Sequence, residues 1–316
     1  MEQKRKIGNS ELYIRPFVLG GNVFGWTADK KESFRILDAY IDAGFDFIDT
    51  ANVYSNWVPG NKGGESETII GEWIKKTGKR DEILIATKVG AAMSDGKKSL
   101  KKDYIMKEAE ASLKRLNTDY IDLYFVHYDD TSTPVEETLG AFAKLIEQGK
   151  VGYTGASNMS PERIKESLES GRKNDLPAYV CLEPAYNLYD RQAYERDYEP
   201  LIEQYGLGVI SYYSLASGFL TGKYKTKTDL ADKQRGGKVE EYLNGRGERI
   251  IKALNEVAAM YNATPAQIAL AWIKERPSVT APIASVSKHG QLDILKSVDI
   301  HLSKEAMNML NNASSY

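Results

Sequence analysis

The stretch FDFIDTANVYSNW, residues 45–57, starts like a buried strand and ends like something else. Phe45, Phe47 and Ile48 form a short apolar run that Asp49 closes, and Tyr54 follows five residues later with neither glycine nor proline between them. A strand that needed only to turn would take turn residues there. An aspartate capping the next loop accounts for Asp49 and leaves Tyr54 unexplained. Upstream, KKESFRILDAYIDAG (30–44) carries Phe34, Leu37 and Ile41 on one helical face, and downstream ESETIIGEWIKKTG (65–78) reads as a second helix. A short apolar strand between two such helices is one unit of a strand–helix alternation.

The unit recurs along the chain. After a predicted hairpin over residues 4–14, turning at Gly8-Asn9, RPFVLGG (15–21) reads as the first strand. FDFIDT is the second, and EILIATKV (82–89), DYIDLYFVH (119–127), VGYTGASN (151–158), AYVCLEP (178–184), GLGVISYYSL (206–215) and VTAPIASV (279–286) continue the series. Helices are predicted at 103–117, 134–150, 160–174, 191–206, 248–262 and 264–277, with a closing helix from about Gln291. Ser160-Pro161 has the form of an N-cap followed by proline at the first helical position.

Eight short buried strands separated by helices call for an all-parallel sheet of the α/β class. With no linker-like break, the expectation is a single domain over residues 1–316: a (β/α)8 TIM barrel with an N-terminal β-hairpin. An open doubly wound sheet is the other arrangement. LGGNVFGWT (19–27) is glycine-rich, but its spacing is not that of a dinucleotide fingerprint and it opens no immediate helix.

Composition narrows the function. Lys+Arg 42 against Asp+Glu 44 gives a net charge of −2, so no strong field for nucleic acid or acidic membranes is expected. The single cysteine, Cys181, excludes an internal disulfide and a cysteine-based metal cluster, and its apolar setting reads as core. No metal site is expected. No run of 18 uncharged apolar residues suggests a membrane span, and the first residues lack a signal-peptide core, so a reducing cytoplasm is the expectation. The polar stretch 216–245, after the seventh strand, is a long loop that is either functional or disordered.

In a parallel barrel the strand ends converge on one mouth, where active sites lie. The second strand ends at Asp49, the third at Lys88 and the fourth at His127, one of only three histidines. Singly, the lysine reads as a snorkelling or paired surface residue and the histidine as a satisfied core residue. Three ionisable ends with a tyrosine beside them point to a site.

These residues resemble the aldo-keto reductase family. AGFDFIDTANVY (43–54), IATKV (85–89) and DLYFVH (122–127) are similar to its three tetrad segments. The likeness continues in order through GYTGASN (152–158), LEPAYNLYDR (182–191), SGFLTGKY (217–224) and TPAQIALAWI (264–273). The resemblance implies a (β/α)8 barrel that binds NADP(H), in some members NAD(H), and reduces aldehydes and ketones. Carried over, it makes Tyr54 the general acid, with Lys88 lowering the tyrosine's pKa, Asp49 fixing Lys88, and His127 orienting the substrate carbonyl or relaying the proton.

The same resemblance assigns Ser157, Asn158 and Glu183 to the nicotinamide carboxamide and Tyr212 to stacking under the ring, where the bare residue would read as a core aromatic. It puts Gly21 and Asn22 near the ribose, counts Asp49 among the cofactor-binding residues, and places Lys223 at the cofactor phosphates, Ser287 and Gln291 at the adenosine end, and the loop 216–245 over the pyrophosphate. Phe24, Trp26, Trp57 and Tyr128 would ring a mouth suited to a small-molecule carbonyl substrate.

The chain also departs from the family pattern. Glu183 stands where glutamine is usual and adds a negative charge near the nicotinamide. Tyr213-Ser214 replaces a common Ser-Pro, and Ser285 and Leu295 replace glycine and asparagine. For a 2′-phosphate only Lys288 and Lys223 are candidates. Two other readings stand beside the reductase: a cofactor-binding redox sensor or regulatory subunit, and a Schiff-base aldolase using Lys88.

Overall fold

The computed structural model describes residues 3–224, 226–230 and 236–316. A two-stranded antiparallel hairpin, β1 (Arg5–Lys6) and β2 (Tyr13–Ile14), precedes the barrel. The barrel strands are β3 (Val18–Gly20), β4 (Phe47–Asp49), β5 (Leu84–Val89), β6 (Ile121–Val126), β7 (Val151–Ser157), β8 (Cys181–Glu183), β9 (Gly208–Ser211) and β10 (Ala281–Ala284). They close in the order β10-β3-β4-β5-β6-β7-β8-β9, and every pair is parallel. The crossovers carry α1 (Lys30–Asp42), α2 (Glu65–Thr77), α3 (Lys102–Leu116), α4 (Val135–Glu147), α5 (Pro161–Asn174) and α6 (Glu199–Tyr205). After β9 come α7 (Gly236–Glu240), α8 (Gly245–Met260) and α9 (Pro265–Lys274), and α10 (Lys304–Ala313) ends the chain. This is the (β/α)8 barrel with an N-terminal hairpin that the alternation called for.

Side chains alternate across each strand, and here the alternation sorts two cores. Val18, Phe47, Ala86, Leu123, Phe125, Cys181, Ile210 and Ile283 fill the barrel interior as one cluster. Their strand neighbours Leu19, Ile48, Ile85, Tyr124, Leu182 and Val209 belong instead to the core shared with the helices. Two residues beyond each interior position lie Gly20, Asp49, Lys88, His127, Ser157, Glu183, Tyr212 and Ser285, with Gly155 as the interior residue of β7. The apolar interior is therefore topped by one row of polar, charged or small residues.

The other end of the barrel is sealed by the hairpin, whose Ile7 and Ile14 join the interior cluster with Leu12 packed against it. Its turn lies so close to the strands that only glycine fits at position 8. Gly8 has φ +49°, and a Cβ there would sit 2.2 Å from the Val180 carbonyl oxygen and 2.5 Å from the Gly208 nitrogen.

Three predicted elements differ in detail. The helix expected at 191–206 is split into a π-helical turn at Tyr194–Tyr198 and α6, because Pro200 in the first turn of α6 has no N–H to continue a ladder. The closing helix does not start at Gln291: residues His289–Asp299 form 3-10 turns, and Ser303 caps α10 by accepting from the Ala306 N–H. The long loop holds short turns at Ala216–Thr221 and Lys227–Leu230 before α7, and its residues 225 and 231–235 lie outside the described residues. The predicted Ser160 cap is present, accepting from the Arg163 N–H with Pro161 in the first turn.

Two glycine substitutions separate these effects. Gly8→Ala should lower stability by about 2–3 kcal/mol, through clash and a strained positive φ. Gly140→Ala, in the interior of α4 with nothing within 4 Å of the added methyl, should raise it by roughly 0.5–1 kcal/mol. Urea midpoints of the two variants check both signs, and a wild-type midpoint for Gly8→Ala would mean that the turn does not press on the barrel.

Candidate active site

Lys88, on β5, is wholly buried, and its ammonium finds partners on two neighbouring segments. Its Nζ donates to Asp49 Oδ1 at 2.5 Å, to Tyr54 Oη at 2.9 Å and to the Thr50 carbonyl at 3.0 Å. Three bonds use its three hydrogens. Glu183 Oε1 stands at 3.4 Å from the same nitrogen as an ion pair. Asp49 reaches the lysine because β4 pairs with β5, and its second oxygen accepts from the Tyr54 hydroxyl at 3.2 Å.

The loop after β4 brings Tyr54 back over the strand ends. Ser55, buried and at φ +71°, donates its hydroxyl to the Phe24 carbonyl at 2.8 Å. Asn61 Nδ2 donates to the carbonyls of Ser55 and Gly25 at 3.0 and 3.1 Å. Neither Ser55 nor Asn61 stood out in the sequence, where a polar residue beside a tyrosine carries no signal. His127, just beyond β6, sets its ring 5.8 Å from that of Tyr54, edge to face.

Electrostatics at this point run against the sequence-based expectation for Tyr54. Its hydroxyl is held well above the ordinary tyrosine value, first by burial and then by the negative charges of Asp49 and Glu183. Lys88 therefore does not make it unusually acidic in this state, because burial, the largest influence on the phenol, works against ionisation. Burial also raises Asp49, against the pull of Lys88. Burial, and after it the charge of Asp49, pushes Glu183 up to about 8. Burial and Lys88 lower His127 well below the usual histidine value, so its imidazole is neutral, and its Nδ1 has no hydrogen-bond partner.

Above these groups opens a cleft of about 800 Å³. Asp49, Tyr54, His127, Ser157, Asn158, Glu183 and Tyr212 border it at the barrel end, while Lys88 lies beneath. Asn158 links the wall together: its amide donates to the His127 carbonyl at 2.8 Å and to Ser157 Oγ at 3.0 Å, and its oxygen accepts from the Tyr212 hydroxyl at 2.8 Å. Ser157 Oγ in turn donates to the Glu183 carbonyl at 2.8 Å.

Along the outer wall the structure brings Asn22, Lys223, Ser287 and Gln291 to the same cleft. Ser285 Oγ donates to Asn22 Oδ1 at 2.5 Å, and Gln291 Oε1 accepts from the Ser287 N–H at 2.8 Å. Lys288 is exposed and does not border the cleft. Two expected positions fall elsewhere. Gly20, not Gly21, borders the cleft, since Gly21 turns onto the start of α2 and accepts from Ser66 Oγ at 2.8 Å. Phe24 is fully buried in the core shared with the helices, because the turn at Gly25 folds its ring inward.

Trp26, Trp57 and Tyr128 do line the opening. The Trp26 and Trp57 rings meet edge to face at 5.5 Å, and Trp57 meets Tyr54 at 6.2 Å. Trp57 and Tyr128 are each 45% exposed, so the cleft has an aromatic rim. Tyr213, noted in the sequence only as a departure from the family pattern, is exposed and at φ +55°, and with Leu215 it adds to the wall.

A phenol, an ammonium and a carboxylate are thus in hydrogen-bond contact at the C-terminal mouth of the barrel. Comparisons with known proteins give the family. Residues 16–315 match the model of the Aldo/keto reductase family. The chain is 34% identical to an uncharacterized oxidoreductase, YrpG, of Bacillus subtilis (strain 168), over 97% of this chain and 94% of that protein. It is 33% identical to a probable voltage-gated potassium channel subunit beta of Oryza sativa subsp. japonica, over 94% and 92% of the two chains. It is also 30% identical to the aldo-keto reductase YhdN of Bacillus subtilis (strain 168), over 92% and 85%. The chain belongs to the aldo/keto reductase family, and so to the oxidoreductases that act on carbonyl groups.

Glu183 makes the stability of the protein pH-dependent. Its folded pKa lies above its unfolded one, so the folded state binds the extra proton, and stability falls as pH rises from about 4.5 through about 8. Melting temperatures taken from pH 5.5 to 8.5 should therefore decline for wild type and stay flatter for Glu183→Gln. Parallel curves for the two proteins would place the buried proton elsewhere.

Proposed function

We propose that this protein reduces aldehydes or ketones to alcohols with NADP(H), NAD(H) being the alternative donor, and that Tyr54 protonates the carbonyl oxygen. The observation that carries this reading is the buried Lys88 ammonium, bound at once to Asp49 at 2.5 Å and to Tyr54 Oη at 2.9 Å at the floor of the cleft. A bound dihydronicotinamide would supply the hydride. Tyr54 gives its proton to the oxygen as negative charge develops there, and Lys88 stabilises the phenolate left behind. Asp49 keeps Lys88 in place, at the cost of some phenolate stability. Neutral His127 orients the carbonyl by hydrogen bonding or relays the proton.

The residues present fit the cofactor. The cleft has the size of a ligand site. Its floor offers a buried Glu183 Oε2 without a partner, and a Cβ on Gly20 would come 2.4 Å from Ser285 Oγ, so the wall there is bare backbone. Ser157, Asn158 and Glu183 would hold the carboxamide, and Tyr212, fastened by Asn158, would stack on the ring. Asn22 would face the ribose, Lys223 the phosphates, and Ser287 with Gln291 the adenosine end. Among the described residues, Lys223 is the cation on the cleft wall suited to the added charge of NADP(H). The aromatic rim of Trp26, Trp57 and Tyr128 favours a flat, apolar carbonyl compound.

Two other readings are less well supported. A Schiff-base lysine needs a free electron pair, whereas Lys88 donates three hydrogen bonds and has no exposed surface. A regulatory subunit is consistent with the channel-subunit relatives, but it requires no proton-donating phenol over the cofactor site.

Quenching of intrinsic fluorescence by NADPH, followed by turnover of an aromatic aldehyde, tests the proposal. Tyr54→Phe should bind NADPH like wild type and lose roughly 100-fold or more of kcat, the usual worth of a general acid. Full activity in that variant would refute the mechanism. Binding without turnover of any aldehyde or ketone in a broad panel would favour the regulatory reading.

A further inference from the structure

The floor of the cleft holds more acid than base. Lys88 spends its three hydrogens on Asp49, Tyr54 and the Thr50 carbonyl, so Glu183 receives charge from it across 3.4 Å but no hydrogen bond of ordinary length. Glu183 is buried, and its Oε2 has no partner at all. The titratable groups around it are Asp49 on β4, Lys88 on β5, Tyr54 in the loop after β4, Tyr212 after β9 and Cys181 on its own strand. Lys88 is the one cation among them. With both carboxyls ionised this buried cluster would carry a net negative charge, which burial disfavours strongly.

We propose that Glu183 is a proton-holding site that ties the cofactor's oxidation state to pH: its carboxyl stays protonated beside a reduced nicotinamide and releases its proton when the oxidised, cationic ring is bound. The inference rests on reading the Ser157–Asn158–Glu183–Tyr212 wall as the nicotinamide site. A dihydronicotinamide is neutral and gives the carboxyl no reason to ionise. A nicotinamide cation supplies the second positive charge that Glu183 lacks, and its presence balances the cluster. The proton goes to solvent through the cleft that Glu183 borders, and no other bond changes. The proton released is the one that burial and the hydrogen-bonded neighbour Asp49 keep on the Glu183 carboxyl.

Glutamine at this position could hold the carboxamide but could not respond to charge. Glu183 would thus favour the oxidised cofactor increasingly as pH rises and leave affinity for the reduced form nearly unchanged. It is a positioning and charge-tuning residue, distinct from Tyr54.

Calorimetric titration of the full chain with NADP+ and with NADPH at pH 7, in two buffers of different ionisation enthalpy, measures the protons exchanged. Wild type should release between half a proton and one proton more with NADP+ than with NADPH, and the 2′-phosphate, common to both ligands, cancels in the difference. Between pH 6 and 7.5 the Kd ratio of NADPH to NADP+ should rise by up to tenfold per pH unit. In Glu183→Gln both effects should vanish. The wild-type difference decides the matter even if that variant folds poorly. Binding of both nucleotides with equal proton exchange overturns this inference alone, as does an undiminished difference in Glu183→Gln. If neither nucleotide binds, the cofactor reading fails first and takes the inference with it.

Discussion

A lysine ammonium with no exposed surface is the constraint on which the rest of this site depends. Removing such a charge from water costs several kcal/mol unless its hydrogens are bound and its charge is answered. Here Asp49, the Thr50 carbonyl and the Tyr54 hydroxyl bind the hydrogens, and Asp49 answers the charge from the adjacent strand. That requirement fixes where β4 must end and how the following loop must return. Ser55 at a positive φ, tied to the Phe24 carbonyl, and Asn61, tied to Ser55 and Gly25, hold the loop in that path. The strain at Ser55 sits one residue from the phenol it helps to place.

The barrel makes this arrangement possible through a simple periodicity. Interior side chains recur every second residue, so a single step past the apolar layer puts Asp49, Lys88, His127, Ser157, Glu183 and Tyr212 in one ring. Phe125 fills the centre beneath them. It can do so because Gly155 stands beside it on β7, where a Cβ would come within 2.4 Å of the ring. The apolar layer keeps water from reaching Lys88 from below, and the hairpin residues Ile7 and Ile14 close the far end. Apolar side chains are concentrated in the lower layers, and ionisable ones in the top row.

Much of this was legible in the sequence because both periodicities are local. The strand–helix alternation gave the barrel, and the apolar runs ending on Asp49, Lys88 and His127 marked its top row. Features that depend on tertiary approach were not legible. Phe24 looks like a rim residue until the turn at Gly25 buries it, and Gly20 and Gly21 differ only in which neighbour each one touches. The helix at 191–206 has the expected extent, but the apolar spacing does not reveal its π-helical turn ahead of Pro200. The raised value of Tyr54 was not legible for a related reason: burial, its first cause, and the approach of Glu183 are set by tertiary packing. A lysine at one strand end and a glutamate at another do not reveal that they share an ion pair across the barrel.

That last interaction separates what the fold demands from what the chemistry uses. Glutamate and glutamine have nearly the same shape, so either could occupy position 183 without moving a neighbour. They differ by a full charge once the carboxyl ionises, in surroundings where burial magnifies the difference. The wall of Ser157, Asn158 and Tyr212 is built from neutral groups whose hydrogen bonds close on one another and do not depend on that charge. The balance of charge around Lys88 does depend on it. A substitution silent in the fold can therefore reset the acidity of the phenol and the charge that the cleft prefers to receive. The barrel supplies the positions, and the residue after Leu182 sets the charge placed beside Lys88.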